Sequence, residues 1–144
     1  MNFYKLPVYV CILLRKDNQV LLIERCNTGW GDGLWNLPGG SLDAHESLHE
    51  AVIRESREEL AVELDPEHIQ LIHVIHSKRP EKDVLGFYFV TDRWQGIPVN
   101  NEPDKHSAIA WYDLDKLPEN LTLYSHTALN GYKQGTFYSA LGWK

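Results

Sequence analysis

Glutamates crowd the segment between Gly39 and Val62, and their spacing constrains the fold and chemistry of this chain more than any other feature. On a helix with 100° per residue, Glu55, Glu58 and Glu59 fall within an arc of about 100°. The apolar residues of the same arc are Leu48, Ala51 and Val52. The three carboxylates therefore share a partly buried helix face instead of forming a separate solvated one.

This clustering of carboxylates is unfavourable for a free helix. Like charges three or four residues apart cost about 0.2–0.5 kcal/mol a pair when exposed, and more when partly desolvated. Arg54 lies four residues from both Glu50 and Glu58, but one cation cannot neutralise three anions. A divalent cation can, and ligands that are all oxygen suit Mg²⁺ or Mn²⁺ better than zinc. The alternative is a solvated acidic face with ordinary Glu–Arg pairs.

The helix itself is predicted to run from Asp43 to about Leu60. Asp43 is a suitable N-cap, and Glu46 follows three residues later, as in a capping box. His45 and His49 form an HExxH pattern, which in zinc peptidases places two ligands on one helix face. The pattern begins in the first helical turn and no third ligand follows at a familiar spacing, so the zinc peptidase is the weaker interpretation.

Strand patterns surround this helix. Residues 8–14 and 20–23 flank a Lys-Asp-Asn turn and are almost continuously apolar, which predicts a hairpin with both faces covered. Further strands are predicted at residues 34–37, 69–76, 84–92 and 108–112, and a closing helix at 121–132. A helix amid strands indicates an α/β or α+β fold with a mixed β-sheet. The length of 144 residues fits a single domain over residues 1–144.

The glutamate segment resembles the Nudix box, Gx5Ex7REUxEExGU, in which U is a bulky apolar residue. Within residues 40–62 the matching positions are Gly40, Glu46, Arg54, Glu55, Glu58, Glu59 and Val62. The preceding sequence Leu-Trp-Asn-Leu-Pro-Gly-Gly resembles the usual approach to the box. Two positions depart from the box pattern, because Ser56 stands where an apolar residue is usual and Ala61 stands where glycine is usual. That glycine normally ends the helix at positive φ, so we expect this helix to end differently, for example by running on towards Leu64.

The resemblance implies an α/β/α sandwich fold. It also implies an enzyme that hydrolyses a nucleoside diphosphate linked to another group X. It implies that metal ions, Mg²⁺ or as a substitute Mn²⁺, neutralise the phosphate oxygens and help to deprotonate water. The implied metal ligands are the carboxylates of Glu55, Glu58 and Glu59 and the carbonyl of Gly39. Arg54 is expected to orient these glutamates, and Glu46 and Gly40 to support the junction between loop and helix.

The general base stays open at this point. Glu58 and Glu59 are candidates within the box. Glu102 is a third, because some MutT-like relatives place a further carboxylate in a loop such as the acidic segment at residues 101–104. The alternative for Glu102 is an ordinary loop charge.

Candidates for substrate binding lie around the glycine-rich loop at residues 27–33. Arg25 ends the strand before this loop, where it can meet a phosphate, and Lys78 and Arg79 are weaker candidates of the same kind. Trp30 lies within the loop and is the candidate for stacking on a base. The alternative for Arg25 is a solvated charge at a strand end, and the alternative for Trp30 is an aromatic residue of the core or its rim.

Sequence markers of ADP-ribose or dinucleoside polyphosphate hydrolases are not evident after the box. This favours a MutT-like (d)NTP pyrophosphatase that releases a nucleoside monophosphate and pyrophosphate. One alternative is a hydrolase of nucleotide sugars or ADP-ribose. Another is a nucleotide-binding module without turnover, although such modules often lack box glutamates that are present here.

Charge and hydropathy limit the other partners. The net charge of −6 makes a nucleic acid polymer a poor partner, because binding phosphates needs clustered Lys and Arg. The longest apolar run, residues 6–14, is too short to cross a bilayer, and no cleavage site follows it. We therefore expect a cytoplasmic protein with Cys11 and Cys26 as free thiols. The aromatic segment at 131–143 either completes the core or forms a dimer contact, so monomer and homodimer both stay open.

Overall fold

The computed structural model describes residues 1–143, in which two α-helices flank a mixed sheet. The helices are α1 (Leu48–Leu60) and α2 (Leu123–Gln134). The strands are β1 (Val8–Lys16), β2 (Gln19–Arg25), β3 (Trp35–Asn36), β4 (Gly39–Ser41), β5 (Glu63–Leu64), β6 (Gln70–Lys78), β7 (Asp83–Thr91), β8 (Trp94–Gln95), β9 (His106–Asp113) and β10 (Tyr138–Leu141). The predicted hairpin is confirmed, and each predicted strand lies within two residues of its expected limits.

The strands β1 and β2 separate two hydrophobic cores. Along β1, Val10, Ile12 and Leu14 pack on the side of α1, whereas Cys11 and Leu13 pack on the side of α2. β1 is parallel to β7 and antiparallel to β2 and β4, and β9 pairs with β2. The nearly continuous apolar sequence of the hairpin follows from this burial on both faces. The α/β/α sandwich with a mixed sheet is therefore confirmed.

The start of α1 differs from the prediction. The N-cap is Ser47, whose Oγ accepts a hydrogen bond from the Glu50 N–H at 3.0 Å, while the Ser47 N–H donates to Glu50 Oε1 at 2.9 Å. The predicted cap at Asp43 is wrong because His45 has a φ of 64°, which interrupts the helical path. Glu46 instead accepts a hydrogen bond from the Asp43 N–H at 3.0 Å, which closes a turn ahead of the helix.

The end of α1 also differs from the expectation. The helix stops at Leu60, and Ala61 takes the left-handed conformation (φ 57°, ψ 35°) with its N–H donating to the Arg57 carbonyl at 3.1 Å. The expected extension towards Leu64 is wrong, because that residue belongs to β5. The second departure from the box, Ser56, is buried, and its Oγ donates to the carbonyl of Val52 at 2.8 Å.

The left-handed conformation of Ala61 leads to a prediction about the stability of the protein. Its side chain is exposed, so replacing it removes little packing, and glycine relieves the cost of a left-handed L-residue. We expect Ala61→Gly to raise the free energy of unfolding by about 0.5–1 kcal/mol, which corresponds to about 2–4 °C in Tm. Ala61→Val is expected to lower Tm because a β-branched residue tolerates this conformation worse. Equal Tm values for both variants in thermal melts would contradict the assignment.

The C-terminal part of the chain completes the sheet. α2 runs from Leu123 to Gln134, two residues later than predicted at each end. β10 then pairs in parallel with β6 at the edge of the sheet, so much of the 131–143 segment contributes to the fold. Within residues 1–143 no helix is both long and apolar enough to cross a bilayer. In the same range Cys11 is a buried free thiol and Cys26 a partly buried one.

Candidate active site

Two glycines bring the backbone of β4 against α1. Gly39 pairs with Cys11 of β1. A Cβ at this position would lie 2.8 Å from the Cys11 Cα and closer still to the Val10 carbonyl oxygen. A Cβ on Gly40 would lie 2.5 Å from the Glu55 Cδ. Only glycine therefore allows the strand to approach both the neighbouring strand and the helical carboxylates.

Arg54 is the centre of a charged network at the start of α1. Its Nε and Nη2 donate to the two carboxylate oxygens of Glu46 at 2.7 and 3.1 Å. Its Nη1 donates to Glu55 Oε1 at 2.9 Å and to Glu58 Oε2 at 3.3 Å, and its Nη2 also reaches the Ser41 carbonyl at 3.0 Å. A planar guanidinium with five donors suits this role, since it holds several acceptors in fixed directions.

The contacts of Arg54 join the glutamates of α1 to the turn ahead of the helix. The side chain contacts Glu55 and Glu58, as expected for a residue that orients the glutamates, and it fixes Glu46 of the preceding turn. Hydrogen bonding to Arg54 lowers the pKa of Glu46, so that carboxylate is charged at neutral pH. Glu50, also four residues from Arg54, is used in the N-cap instead.

Glu59 is the most deeply placed carboxylate of the helix. Its side chain is 5% exposed, and its Oε2 has no hydrogen-bond partner within the described residues. Burial, followed by the negative charges of Glu55 and Glu102, raises the pKa of Glu59 well above its usual value. Burial also raises the pKa of Glu55, despite the adjacent Arg54. A buried carboxylate with an unpartnered oxygen among other anions is a strong candidate for a cation ligand.

The structure places Glu102 close to the carboxylate of Glu59. The loop before β9 is fixed to the last turn of α1, where Asn101 donates from its N–H to the Glu59 carbonyl and from Nδ2 to the Glu58 carbonyl, each at 2.9 Å. These bonds satisfy two helix-end carbonyls that would otherwise lack donors. Glu102 follows directly, and its only ion pair among the described residues is with the exposed Lys105, at 3.7 Å.

His106 is a site residue that the sequence analysis missed. It is buried on β9, with Nε2 3.3 Å from Glu59 Oε1. Burial, followed by the positive charges of Arg25 and Lys105, lowers the pKa of His106 to about 4. The imidazole is therefore neutral at physiological pH. A histidine at the first position of an apolar strand carries no local signal that it faces the carboxylates of a distant helix.

The donor set fits a divalent cation. A pocket of about 410 Å³, which we call the carboxylate pocket, is lined by Glu55, Glu59, Glu102 and His106 together with Gly39. Glu58 lies outside that pocket; its side chain is half exposed and turned towards Arg54. Carboxylate oxygens and one imidazole are ligands for a hard or borderline divalent metal, and the unpartnered oxygen of Glu59 gives such an ion a place to bind.

The glycine-rich loop is held by its own side chains. Asp32 accepts hydrogen bonds from the N–H groups of Thr28 and Gly29 at 3.1 and 3.0 Å, which closes the loop. Arg25 donates from Nε to the Trp30 carbonyl at 2.7 Å and from Nη2 to Thr28 Oγ1 at 2.9 Å. The Arg25 Cζ lies 4.6 Å from the Trp30 ring centroid. The two candidate substrate-binding residues therefore lie together, with Arg25 bracing the loop that carries Trp30.

A second, more aromatic cavity of about 370 Å³ adjoins the carboxylates. The ring centroids of Trp30 and Tyr124 lie 5.9 Å apart, and the Arg79 Cζ lies 4.6 Å from the Tyr124 centroid. Deeper in this cavity the hydroxyls of Tyr9 and Tyr88 are 2.7 Å apart, and burial raises the pKa of both phenols. Both therefore stay protonated and uncharged. We call this space the aromatic cavity.

The aromatic cavity and the carboxylate pocket share one wall. The residues that line both are Arg25, Asn36, Leu37, Gly39, Gly40 and Ser41. Asn36 is fixed by the start of α2, because its Oδ1 accepts a hydrogen bond from Thr122 Oγ1 at 2.6 Å and another from the Ser125 hydroxyl. A ligand with a flat apolar part and an anionic part can therefore occupy both spaces at once.

The HExxH pattern does not form a helical metal site. The helix begins at Leu48, so His45 and His49 do not lie one turn apart on a helix. The His49 ring packs edge-on against Phe89 at a centroid distance of 5.2 Å, and the intervening Glu46 binds Arg54. The geometry of a zinc peptidase is therefore absent from this segment.

The comparisons with known proteins identify the family of this chain. The family model of the NUDIX domain matches residues 4–130. The chain therefore belongs to the NUDIX family. The crystal structure of a MutT NUDIX hydrolase from Burkholderia pseudomallei superimposes with a TM-score of 0.81 at 31% identity, covering 88% of this chain and 98% of that one.

Curated relatives narrow the class. The chain is 24% identical over 116 residues to the 8-oxo-dGTP diphosphatase of Escherichia coli strain K12, which covers 79% of this chain and 88% of the relative. It is 33% identical over 109 residues to the ADP-ribose pyrophosphatase of Methanocaldococcus jannaschii, which covers 74% of this chain and 62% of the relative. The protein is thus a MutT-like Nudix hydrolase.

Proposed function

We propose that this enzyme is a Mg²⁺-dependent pyrophosphatase of nucleoside triphosphates, which releases a nucleoside monophosphate and pyrophosphate. The observation that carries the proposal is the wall shared by the carboxylate pocket and the aromatic cavity. A base in the aromatic cavity would place its phosphates along Gly39 and Gly40, next to Glu55 and Glu59. The activity of the Escherichia coli relative, a diphosphatase of 8-oxo-dGTP, supports the same class of substrate.

The cation would be held by Glu55, Glu58 and Glu59 and the carbonyl of Gly39. When bound, it supplies charge neutralisation for the phosphate oxygens and lowers the pKa of water. Arg54 keeps the carboxylates of Glu55 and Glu58 in place before substrate arrives.

The protein's own residues position the substrate and accept the proton. Nε and Nη2 of Arg25 are engaged by the glycine-rich loop, which leaves Nη1 for a phosphate oxygen at the shared wall. Glu58, Glu59 and Glu102 are the proposed acceptors for the proton of the attacking water. Of these, Glu58 is the most exposed to solvent water, while Glu59 is the most buried.

The test is product chromatography after incubation with a panel of nucleotides. The panel contains canonical and oxidised (d)NTPs, ADP-ribose, a nucleotide sugar and a dinucleoside polyphosphate, each with Mg²⁺ and with excess chelator. We expect chelator-sensitive release of a nucleoside monophosphate and pyrophosphate from a (d)NTP. Release of two monophosphates, with ADP-ribose or the nucleotide sugar turned over fastest, would replace the proposed substrate class.

Two observations bear on the alternatives. The aromatic cavity carries Arg79 and Lys82 in addition to Arg25, so it offers cations to the phosphates of a triphosphate and equally to the two linked phosphates of ADP-ribose. A binding module without turnover is disfavoured because Glu55, Glu58 and Glu59 are all present. Tight nucleotide binding with no product from any member of the panel would support that module and overturn the proposal.

Trp30 provides a prediction for the aromatic cavity. We expect Trp30→Ala to raise KM by about tenfold with little change in kcat, because stacking on a base contributes about 1–3 kcal/mol and acts mainly on binding. Trp143→Ala is the matched control, since Trp143 is equally exposed (44% against 45%) and does not line the cavity. Steady-state kinetics with the best substrate measure both. An unchanged KM in Trp30→Ala would remove this residue from the binding site.

A further inference from the structure

His106 lies where a metal ligand would be, although the family pattern does not call for a histidine there. Its Nε2 lies 3.3 Å from Glu59 Oε1. One ligand atom from each of Glu59, Glu102 and His106 can be chosen so that all three lie within 4.8 Å of one another. Three donors at this separation can bind a single ion.

An unpartnered carboxylate oxygen suits these donors to a cation. Glu59 Oε2 is buried and has no hydrogen-bond partner in the described part of the chain, and it belongs to the carboxyl group whose Oε1 faces His106 Nε2. A buried carboxylate oxygen without a donor is costly, and a cation removes that cost. The two residues come from different elements, α1 and β9, so their meeting is not a by-product of local sequence.

The backbone around His106 holds the imidazole in place. Its N–H donates to the Glu102 carbonyl at 3.0 Å, and its own carbonyl accepts from Asn100 Nδ2 at 2.7 Å. It pairs with Arg25 at an irregularity in the register between β2 and β9. The same loop therefore positions both Glu102 and His106 relative to Glu59.

We propose that His106 is a nitrogen ligand of the divalent metal, bound together with Glu59 and Glu102, and that it favours Mn²⁺ over Mg²⁺. The chemistry of the donors is the reason. Mg²⁺ strongly prefers oxygen ligands, whereas Mn²⁺ lies further along the series of metals that accept imidazole. The inference rests on the proposed function for the presence of a metal, and it adds a ligand and a metal preference to that site.

The experiment uses the nucleotide-free protein loaded with substoichiometric Mn²⁺. Three-pulse electron spin echo spectroscopy detects ¹⁴N nuclei coupled to Mn²⁺, so its readout does not depend on turnover. We expect ¹⁴N modulation in the wild-type protein and in His126→Gln, which replaces an exposed histidine of α2. We expect none in His106→Gln. Mn²⁺ titrations should show affinity weakened by about tenfold or more in His106→Gln, with a smaller change for Mg²⁺.

Each outcome decides the matter. Bound Mn²⁺ without ¹⁴N modulation in the wild-type protein overturns the inference, whether or not the variant folds, and so does a failure to bind Mn²⁺. Equal losses of Mn²⁺ and Mg²⁺ affinity in folded His106→Gln would overturn the metal preference. Failure of the proposed function is separate, since it would appear as no chelator-sensitive turnover of any nucleotide, whatever the spectrum.

Discussion

Replacing Glu59 or Glu58 by glutamine is expected to lower kcat with Mg²⁺ by at least about 100-fold, because each change removes a negative charge from the proposed metal and general-base groups. Glutamine keeps the size of the side chain, so the loss reports on charge and not on packing. The effect of Glu59→Gln should be the larger, since Glu59 is buried in the carboxylate pocket while Glu58 is half exposed and lies outside it. Steady-state rates with the best substrate measure both variants.

Glu50→Gln is the matched control for these variants. Glu50 lies on the same helix, but its carboxylate serves the N-cap, a role that glutamine can also fill. We expect its kcat to stay within about twofold of wild type, because no group of the proposed reaction is touched. Near-normal turnover in both Glu58→Gln and Glu59→Gln would rule out the proposed mechanism.

Arg54→Lys is expected to produce the second large effect. Lysine keeps the charge but cannot bond Glu46, Glu55 and Glu58 at the same time, because it lacks the planar fork. We expect kcat to fall by about 10- to 100-fold, since the carboxylates lose their fixed orientation. The free energy of unfolding should fall by about 1–2 kcal/mol, a value reduced for solvent screening of this partly exposed network.

The control for Arg54→Lys is Arg57→Lys, one turn along the same helix. Arg57 forms an exposed ion pair with Glu63 at 2.6 Å, where lysine can replace it. Kinetics and thermal melts of this variant should match the wild-type protein. If Arg54→Lys behaved in the same way, the network around Arg54 would have no positioning role.

The sequence located the helical part of the candidate site because its geometry is local. The positions of Glu55, Glu58 and Glu59 on one face follow from 3.6 residues per turn, and the structure places all three on α1. The hairpin was also predictable, since Leu21 and Leu22 of β2 face different cores and both had to be apolar.

The caps of α1 show where local patterns are ambiguous. Asp43 with Glu46 and Ser47 with Glu50 both satisfy the capping-box spacing, so the sequence alone does not choose between them. The structure uses the second pair, because the positive φ of His45 interrupts the helical path between Asp43 and Ser47. The conformation of Ala61 was likewise hidden, since its tertiary surroundings and not its own preference end the helix there.

The other site residues could not be found from spacing. Tyr88, Asn101 and His106 lie 28, 41 and 46 residues after Leu60, the last residue of α1. Each reaches the candidate site through strand pairing or loop contacts. Such contacts depend on strand order, which no local period encodes. The candidates Arg25 and Trp30 were identified from their place beside a glycine-rich loop, and the structure places them together.

The two cores on either side of the hairpin have a consequence for how such an enzyme can diversify. The carboxylate helix rests on the core that contains Ile12, whereas Tyr9 and Tyr124 of the aromatic cavity pack on the core that contains Leu13. Substitutions that reshape the cavity therefore disturb a different set of packing contacts from those under the glutamates. Selection can act on the choice of leaving group or base while the hydrolytic apparatus stays constant, which makes the specificity of this scaffold evolvable in small steps.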